Sequence, residues 1–242
     1  MPPIRRDLNP SQQLAVALRH LDDLGWCENL SGHITWQVPG SEHLLVNPWG
    51  MWWGEVRAAD IITMSVDGDV IAGPWDVTPA YHLHTELHRR RPDARVVVHN
   101  HPMYATVLAG LGVLPEIIHQ NSAAFLDSMV FVNEYDGSIE SAVAGAALAE
   151  RVGDAKVALL ANHGVMVMAP TIEEATYLSA NFERTCEIHY RTMLTGRAPL
   201  LIGREHLKAM QGTLLERASE AYWNGAIRPL IAAEPEVLEV DL

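Results

Sequence analysis

The chain has 242 residues, of which 48% are hydrophobic and 19% charged, values typical of a folded domain whose core needs no disulfide staples. Acidic residues number 30 against 17 Lys and Arg, a formal net charge of -13, and the longest basic run is Arg89-Arg90-Arg91, so nucleic acid is not an expected partner. Cys27 and Cys186 are too few for a disulfide framework, and no apolar run reaches a signal-peptide core or a membrane span. A cytoplasmic protein, not held in a membrane, is expected.

In chain order, Asn9 and Pro10 predict the start of an amphipathic helix with Leu14, Ala17, Leu18, Leu21 and Leu24 on one face, stopped by Gly25. From Trp26 to Ile71, short runs of Val, Ile, Leu and Trp are broken by glycines and prolines and include the hairpin signal Asp67-Gly68. They predict antiparallel strands. Thr78 and Pro79 open a second helix that ends before Pro92, and a buried strand follows from Arg95 to His99. Next come a helix from Pro102 to Leu108, a weak strand from Met129 to Val132 and an alanine-rich helix from Ser138 to Val152. Two apolar strands, Lys156 to Ala161 and Gly164 to Met168, meet tightly at Asn162-His163. Thr171 with Glu174 predicts a capping box for a long helix ending near Gly196. The remainder reads as helix and then an acidic tail. Interleaved helices and strands without a repeat give one α/β domain over residues 1–242.

The chemistry concentrates in histidines. His99 and His101 flank Asn100 at a strand end, and side chains two apart on a strand share a face. His163 stands between two apolar strands beside Gly164, on a support as rigid as that of the pair. Three neutral imidazoles are a donor set for one zinc, manganese or iron ion per subunit, and they leave a coordination position open for substrate. His20, His43, His88, His189 and His206 are expected to be solvated or to cap helices, and Glu86 to face solvent on its helix. His82, His84 and His119 are open in role.

Three blocks carry a resemblance to a known family: Asn29-Leu30-Ser31-Gly32-His33-Ile34-Thr35, the stretch from Arg91-Pro92-Asp93-Ala94 through His99-Asn100-His101-Pro102, and Leu160-Ala161-Asn162-His163-Gly164-Val165. In order and spacing they resemble the class II aldolase/adducin family over about residues 9–196, leaving 197–242 as a helical extension and tail. The resemblance implies a three-layer α/β/α domain around a mainly antiparallel sheet, assembled as a homotetramer with active sites at subunit interfaces. It makes His99, His101 and His163 the metal ligands.

The departures from that pattern shape the functional expectation. In the sugar-phosphate aldolases of the family a glutamate stands four residues before the counterpart of His84, and here that position is Ala80. The phosphate cradle would fall on Leu30, His33, Trp49 and Thr78-Pro79, of which Leu30, Trp49 and Pro79 offer no side-chain donor to a phosphate there. Trp52 and Trp53 add ring surface nearby, which suits a flat organic carboxylate. The expected activity is therefore a metal-dependent carbon–carbon lyase that decarboxylates a small aromatic hydroxy-carboxylate through a metal-stabilised enolate. Glu28 is the expected proton donor and His33, if protonated, a second anionic anchor. Trp49, His84 and His119 are expected to bind substrate. The alternatives are an aldolase acting on an unphosphorylated hydroxy-keto acid, a non-haem iron oxygenase, and a noncatalytic adducin-like interaction protein.

Overall fold

The computed structural model describes residues 7–135, 137 and 139–240. An eight-stranded sheet runs through it in the order β4-β3-β2-β1-β5-β8-β7-β6. The strands are β1 (His33–Trp36), β2 (Leu44–Val46), β3 (Ile62–Met64), β4 (Val70–Ala72), β5 (Val96–Asn100), β6 (Met129–Val132), β7 (Val157–Leu160) and β8 (Val165–Ala169). Every pairing is antiparallel except β6 with β7. The helices are α1 (Pro10–Asp23), α2 (His82–Arg90), α3 (Met103–Leu111), α4 (Ala142–Val152), α5 (Ile172–Leu194), α6 (Arg204–Thr213) and α7 (Ser219–Ala233). Among the described residues no helix is long and apolar enough to cross a membrane.

Strand alternation builds the layers, because neighbouring residues of a strand face opposite sides. Val96, Val98, Leu159, Val165 and Val167 pack with Leu14, Leu18, Leu178 and Phe182 of α1 and α5. Val97, Ala158, Leu160, Met166 and Met168 pack with Leu83, Leu87, Leu148 and Val152 of α2 and α4. The three-layer α/β/α arrangement follows from that partition.

Local signals place several boundaries. Asn9 caps α1 in a reciprocal box with Gln12, with hydrogen bonds of 3.0 and 2.9 Å. Thr171 caps α5, but Glu174 does not return the bond that a box requires; its carboxylate pairs instead with Lys156. Helix α4 begins at Ala142 with Ser141 as its cap, and Ser138, its expected start, lies outside the described residues.

Four expectations about exposure are corrected. Glu86, His88 and His189 are buried, and Trp53 lies in the core with its indole N–H donating to the Gly32 carbonyl at 3.3 Å. Glu86 and His88 are covered because α2 is packed on both sides, by the sheet and by α4, whose Gly145 sits against Glu86. Glu86 pairs with Arg89, and His189 accepts a hydrogen bond from the Glu116 N–H at 3.3 Å. The acidic tail also docks: Glu234 and Glu236 meet the buried Arg19 at 2.6 and 3.1 Å, and Glu239 approaches Arg57 at 3.5 Å.

Candidate metal centre and its cleft

His99 comes from the end of β5, His101 from the residue after Asn100, and His163 from the turn joining β7 to β8. Their nearest ring nitrogens all lie within 4.8 Å of one another. Two of the rings are aimed by their other nitrogen. His99 Nδ1 donates to the Val165 carbonyl at 3.0 Å, and His101 Nδ1 meets Glu28 Oε2 at 2.7 Å. Each therefore turns Nε2 inward, and the Nε2 of His101 is buried without a partner. Three imidazole nitrogens drawn together, one of them orphaned and two of the rings held from behind by a carbonyl and a carboxylate, fit a divalent cation of zinc, manganese or iron type.

The backbone around the centre is tightly constrained. Asn29 and Asn162 adopt left-handed conformations with φ of 53° and 52°, which asparagine tolerates better than most residues. They place Glu28 and His163. A Cβ on Gly164 would lie 2.5 Å from His101 Cδ2, and one on Gly32 would lie 2.4 Å from the Asn100 side chain. Asn100, fully buried, accepts from the His101 N–H at 2.8 Å. Glycine at both positions is what lets the β1 loop and the β7–β8 turn close on the ligand pair.

Burial dominates the electrostatics. Desolvation holds His99 well below the ordinary imidazole range, aided by the neighbouring imidazoles His163 and His33. His163 is pushed down to about 4, again first by burial and then by His101. The neutral, ligating form is thus the resting form of both.

These imidazoles open on a cleft of about 500 Å³ whose walls include Leu30, His33, Trp49, Ala80, Leu83, Tyr135 and Ile139. Trp49 and Tyr135 are 53% and 61% exposed, so the mouth is aromatic. Among the described residues no Asp, Glu, Lys or Arg lines the cleft.

The remaining candidates divide. His33 lines the cleft, and burial pushes it down to about 3, which disfavours the protonated anchor expected from its ordinary value. His84 is fully buried behind His33 rather than in the lining. His119 lies apart from the cleft, at the start of the turn Gln120–Phe125. Glu28 is hydrogen-bonded to His101 at 2.7 Å and is not among the residues that line the cleft. Sequence reasoning missed Tyr135, which sits in a loop without periodicity; its only signal was an aromatic residue beside the turn residues Asp136-Gly137.

A three-layer domain with three convergent histidines at one end of its sheet defines a class II aldolase-type protein. The sequence profile of the Class II Aldolase and Adducin N-terminal domain matches residues 12–190, and the chain belongs to this family. It is 27% identical over 231 residues to a putative aldolase class 2 protein of Caulobacter vibrioides, covering 92% of this chain and 89% of that one. It is 29% identical over 192 residues to the 4-hydroxy-3-prenylphenylpyruvate oxygenase/4-hydroxy-3-prenylbenzoate synthase of Streptomyces roseochromogenus subsp. oscitans, covering 76% and 68%. The fold is similar to that of an L-fuculose 1-phosphate aldolase from Glaciozyma antarctica, with a TM-score of 0.84, 19% identity and 98% of each chain covered.

Proposed function

We propose that the protein is a divalent-metal-dependent carbon–carbon lyase that decarboxylates a small aromatic hydroxy-carboxylate. The observation that carries this reading is the combination of three inward imidazoles with a cleft that has aromatic walls and no carboxylate in its described lining. Aldol cleavage needs a base to take a hydroxyl proton, and the position where the sugar-phosphate aldolases hold a glutamate is Ala80, a wall residue here. Loss of carbon dioxide needs no such abstraction.

His99, His101 and His163 would hold the cation, and Glu28 and the Val165 carbonyl would keep two of their rings in place. When bound, the cation supplies a Lewis acid next to the reacting carbon, stabilising negative charge on an adjacent oxygen. Trp49 and Tyr135 would flank the ring of the substrate. The carboxylate leaves as carbon dioxide with the electron pair staying on carbon, which then takes up a proton; His33 and Tyr135 are the wall residues placed to hand it on. Leu30 and Trp49, at cleft positions where the family's phosphate cradle would fall, offer no side-chain donor to a phosphate there, which disfavours phosphorylated substrates.

A second reading is an iron oxygenase on the same centre, favoured by the likeness to the Streptomyces oxygenase, whose own name specifies a prenylated aromatic keto acid. One experiment separates the two. The protein is loaded with zinc, manganese or iron(II), and a panel of hydroxybenzoates and hydroxyphenylpyruvates is assayed for carbon dioxide under argon and under air. Release under argon that chelation abolishes supports the decarboxylase. Release confined to iron and oxygen assigns the oxygenase, and an aldehyde product assigns an aldolase.

A further inference from the structure

Behind the cleft wall lies a buried polar array of which the proposed chemistry uses only His33. Strand β1 turns Ile34 and Trp36 toward α1 and α5, and so turns His33 and Thr35 toward α2. Helix α2 answers with His84 and His88, four residues apart and therefore on one face. The four side chains form one continuous line. His33 Nδ1 meets His84 Nε2 at 2.5 Å, His84 Nδ1 meets Thr35 Oγ1 at 2.8 Å, and Thr35 Oγ1 meets His88 Nε2 at 2.7 Å. All four residues are at least nine-tenths buried.

The chemistry of the groups makes this line directional. Threonine has a single hydroxyl proton, so between two ring nitrogens it donates to one and accepts from the other. One of the pair His84 Nδ1 and His88 Nε2 therefore carries hydrogen and the other is bare. A neutral imidazole has one N–H, so the state of His84 Nδ1 fixes the state of His84 Nε2, which in turn fixes His33 Nδ1 across the shared bond. His33 Nε2 is the nitrogen left over, on a residue that lines the cleft. If His88 donates, Thr35 donates to His84, His84 to His33, and His33 Nε2 bears a proton. If His88 accepts, every bond reverses and His33 Nε2 is bare.

We infer that Thr35, His84 and His88 are positioning residues that lock His33 in a single tautomer, and so decide whether its remaining nitrogen gives or takes a hydrogen bond with the substrate. Burial favours the neutral ring this requires at the far end of the line, pushing His88 down to about 4. The alternative, a line that merely fills space between β1 and α2, would leave the tautomer of His33 indifferent to Thr35. Only the last step, that a substrate meets His33, rests on the function proposed above.

The test reads nitrogen protonation directly and needs no substrate. Full-length protein carrying ¹⁵N-labelled histidine and loaded with zinc is studied by solid-state ¹⁵N NMR near neutral pH, where N–H and bare imidazole nitrogens resonate far apart. The His33 signals are those lost in His33→Asn. The expected result is one N–H and one bare resonance for His33 in the parent protein, a second tautomer in Thr35→Val, and return to one tautomer in Thr35→Ser. His88→Leu, which removes the far end of the line, also releases the mixture and serves if Thr35→Val does not fold. Two tautomers in the parent, or one unchanged tautomer in every folded variant, overturns the inference. Zinc content is measured on the same samples, so a failure of the metal-lyase reading shows as missing zinc and is distinct from a failure of the lock.

Discussion

Glu28 and His101 are 73 residues apart in the chain, yet the Glu28 carboxylate meets His101 Nδ1 at 2.7 Å. A carboxylate behind a ligating imidazole fixes the tautomer that leaves Nε2 bare and raises its basicity. Glu28→Ala is expected to weaken zinc binding by ~10 to 100-fold, whereas Glu28→Gln, which keeps an acceptor, loses less. Competition titration with a chromophoric chelator measures both. Were Glu28 a proton donor instead, zinc affinity would hold in both variants while turnover fell by ~100-fold.

Gly164 is the second control point, because a Cβ there would stand 2.5 Å from His101 Cδ2 and 2.6 Å from the Asn100 carbonyl oxygen. One of the two must move, and the imidazole is the softer. Gly164→Ala is therefore expected to displace His101 and lower metal affinity by at least ~10-fold, at a stability cost of about 1 to 3 kcal/mol for overpacking. Bound-metal analysis beside a urea melt separates these effects; full metal occupancy at wild-type affinity would refute the steric argument.

The buried histidines also make stability depend on pH. Burial lowers His88 from 6.5 to about 4 in the folded chain, so between those values the unfolded chain binds more protons. The stabilisation is intact above pH 6.5 and is lost as pH falls toward 4, at up to about 1.4 kcal/mol per pH unit for such a group. His88→Gln removes this one titration, and its urea-unfolding free energy is expected to fall less steeply over that window than that of the parent. Parallel slopes would show that His88 is not held neutral in the native state.

How far these features were legible in the sequence depends on how local their causes are. The start of α1 was readable because Asn9 and Gln12 cap within one turn, and the limits of β6 were readable from its apolar run. The closeness of His99 and His101 follows from strand periodicity alone. By contrast, the burial of Glu86 depends on α4, more than 50 residues downstream, covering the outer side of α2, and that of His88 on β1, more than 50 residues upstream, where Thr35 meets its ring. The contact of Glu28 with His101 was not legible, because the partner lies 73 residues away across a turn closed by Gly32 and nothing near Glu28 in sequence signals it. Trp53 was assigned to the pocket by proximity to Trp49, yet the 3₁₀ turn Trp53–Glu55 rotates it into the core. Helix caps and strand faces are local; the second layer of a site is not.

The C-terminal segment gives a last test of a nonlocal contact. Arg19, in the middle of α1 and 7% exposed, donates to the carbonyls of Val56 and Glu55 at 2.9 and 3.1 Å and to Glu234 and Glu236 at 2.6 and 3.1 Å. It therefore ties the turn Trp53–Glu55 and the segment after α7 to the first helix. The two carboxylates are 34% and 45% exposed and can return to water, so the larger loss on removing Arg19 is its buried hydrogen bonds to backbone. Arg19→Met, which keeps the aliphatic stem, is expected to cost about 2 to 4 kcal/mol and to open the chain after Ala233 to proteolysis before the core unfolds. Arg19→Lys retains the charge but not the fork that reaches four acceptors, and should fall between. If Arg19→Met unfolds at the same urea concentration as the parent and its C-terminal peptide resists cleavage equally, the segment is held by the packing of Val237 and by the hydrogen bonds of Leu238 and Glu239 to Gln12 and Ala59, and the Arg19 contacts contribute nothing.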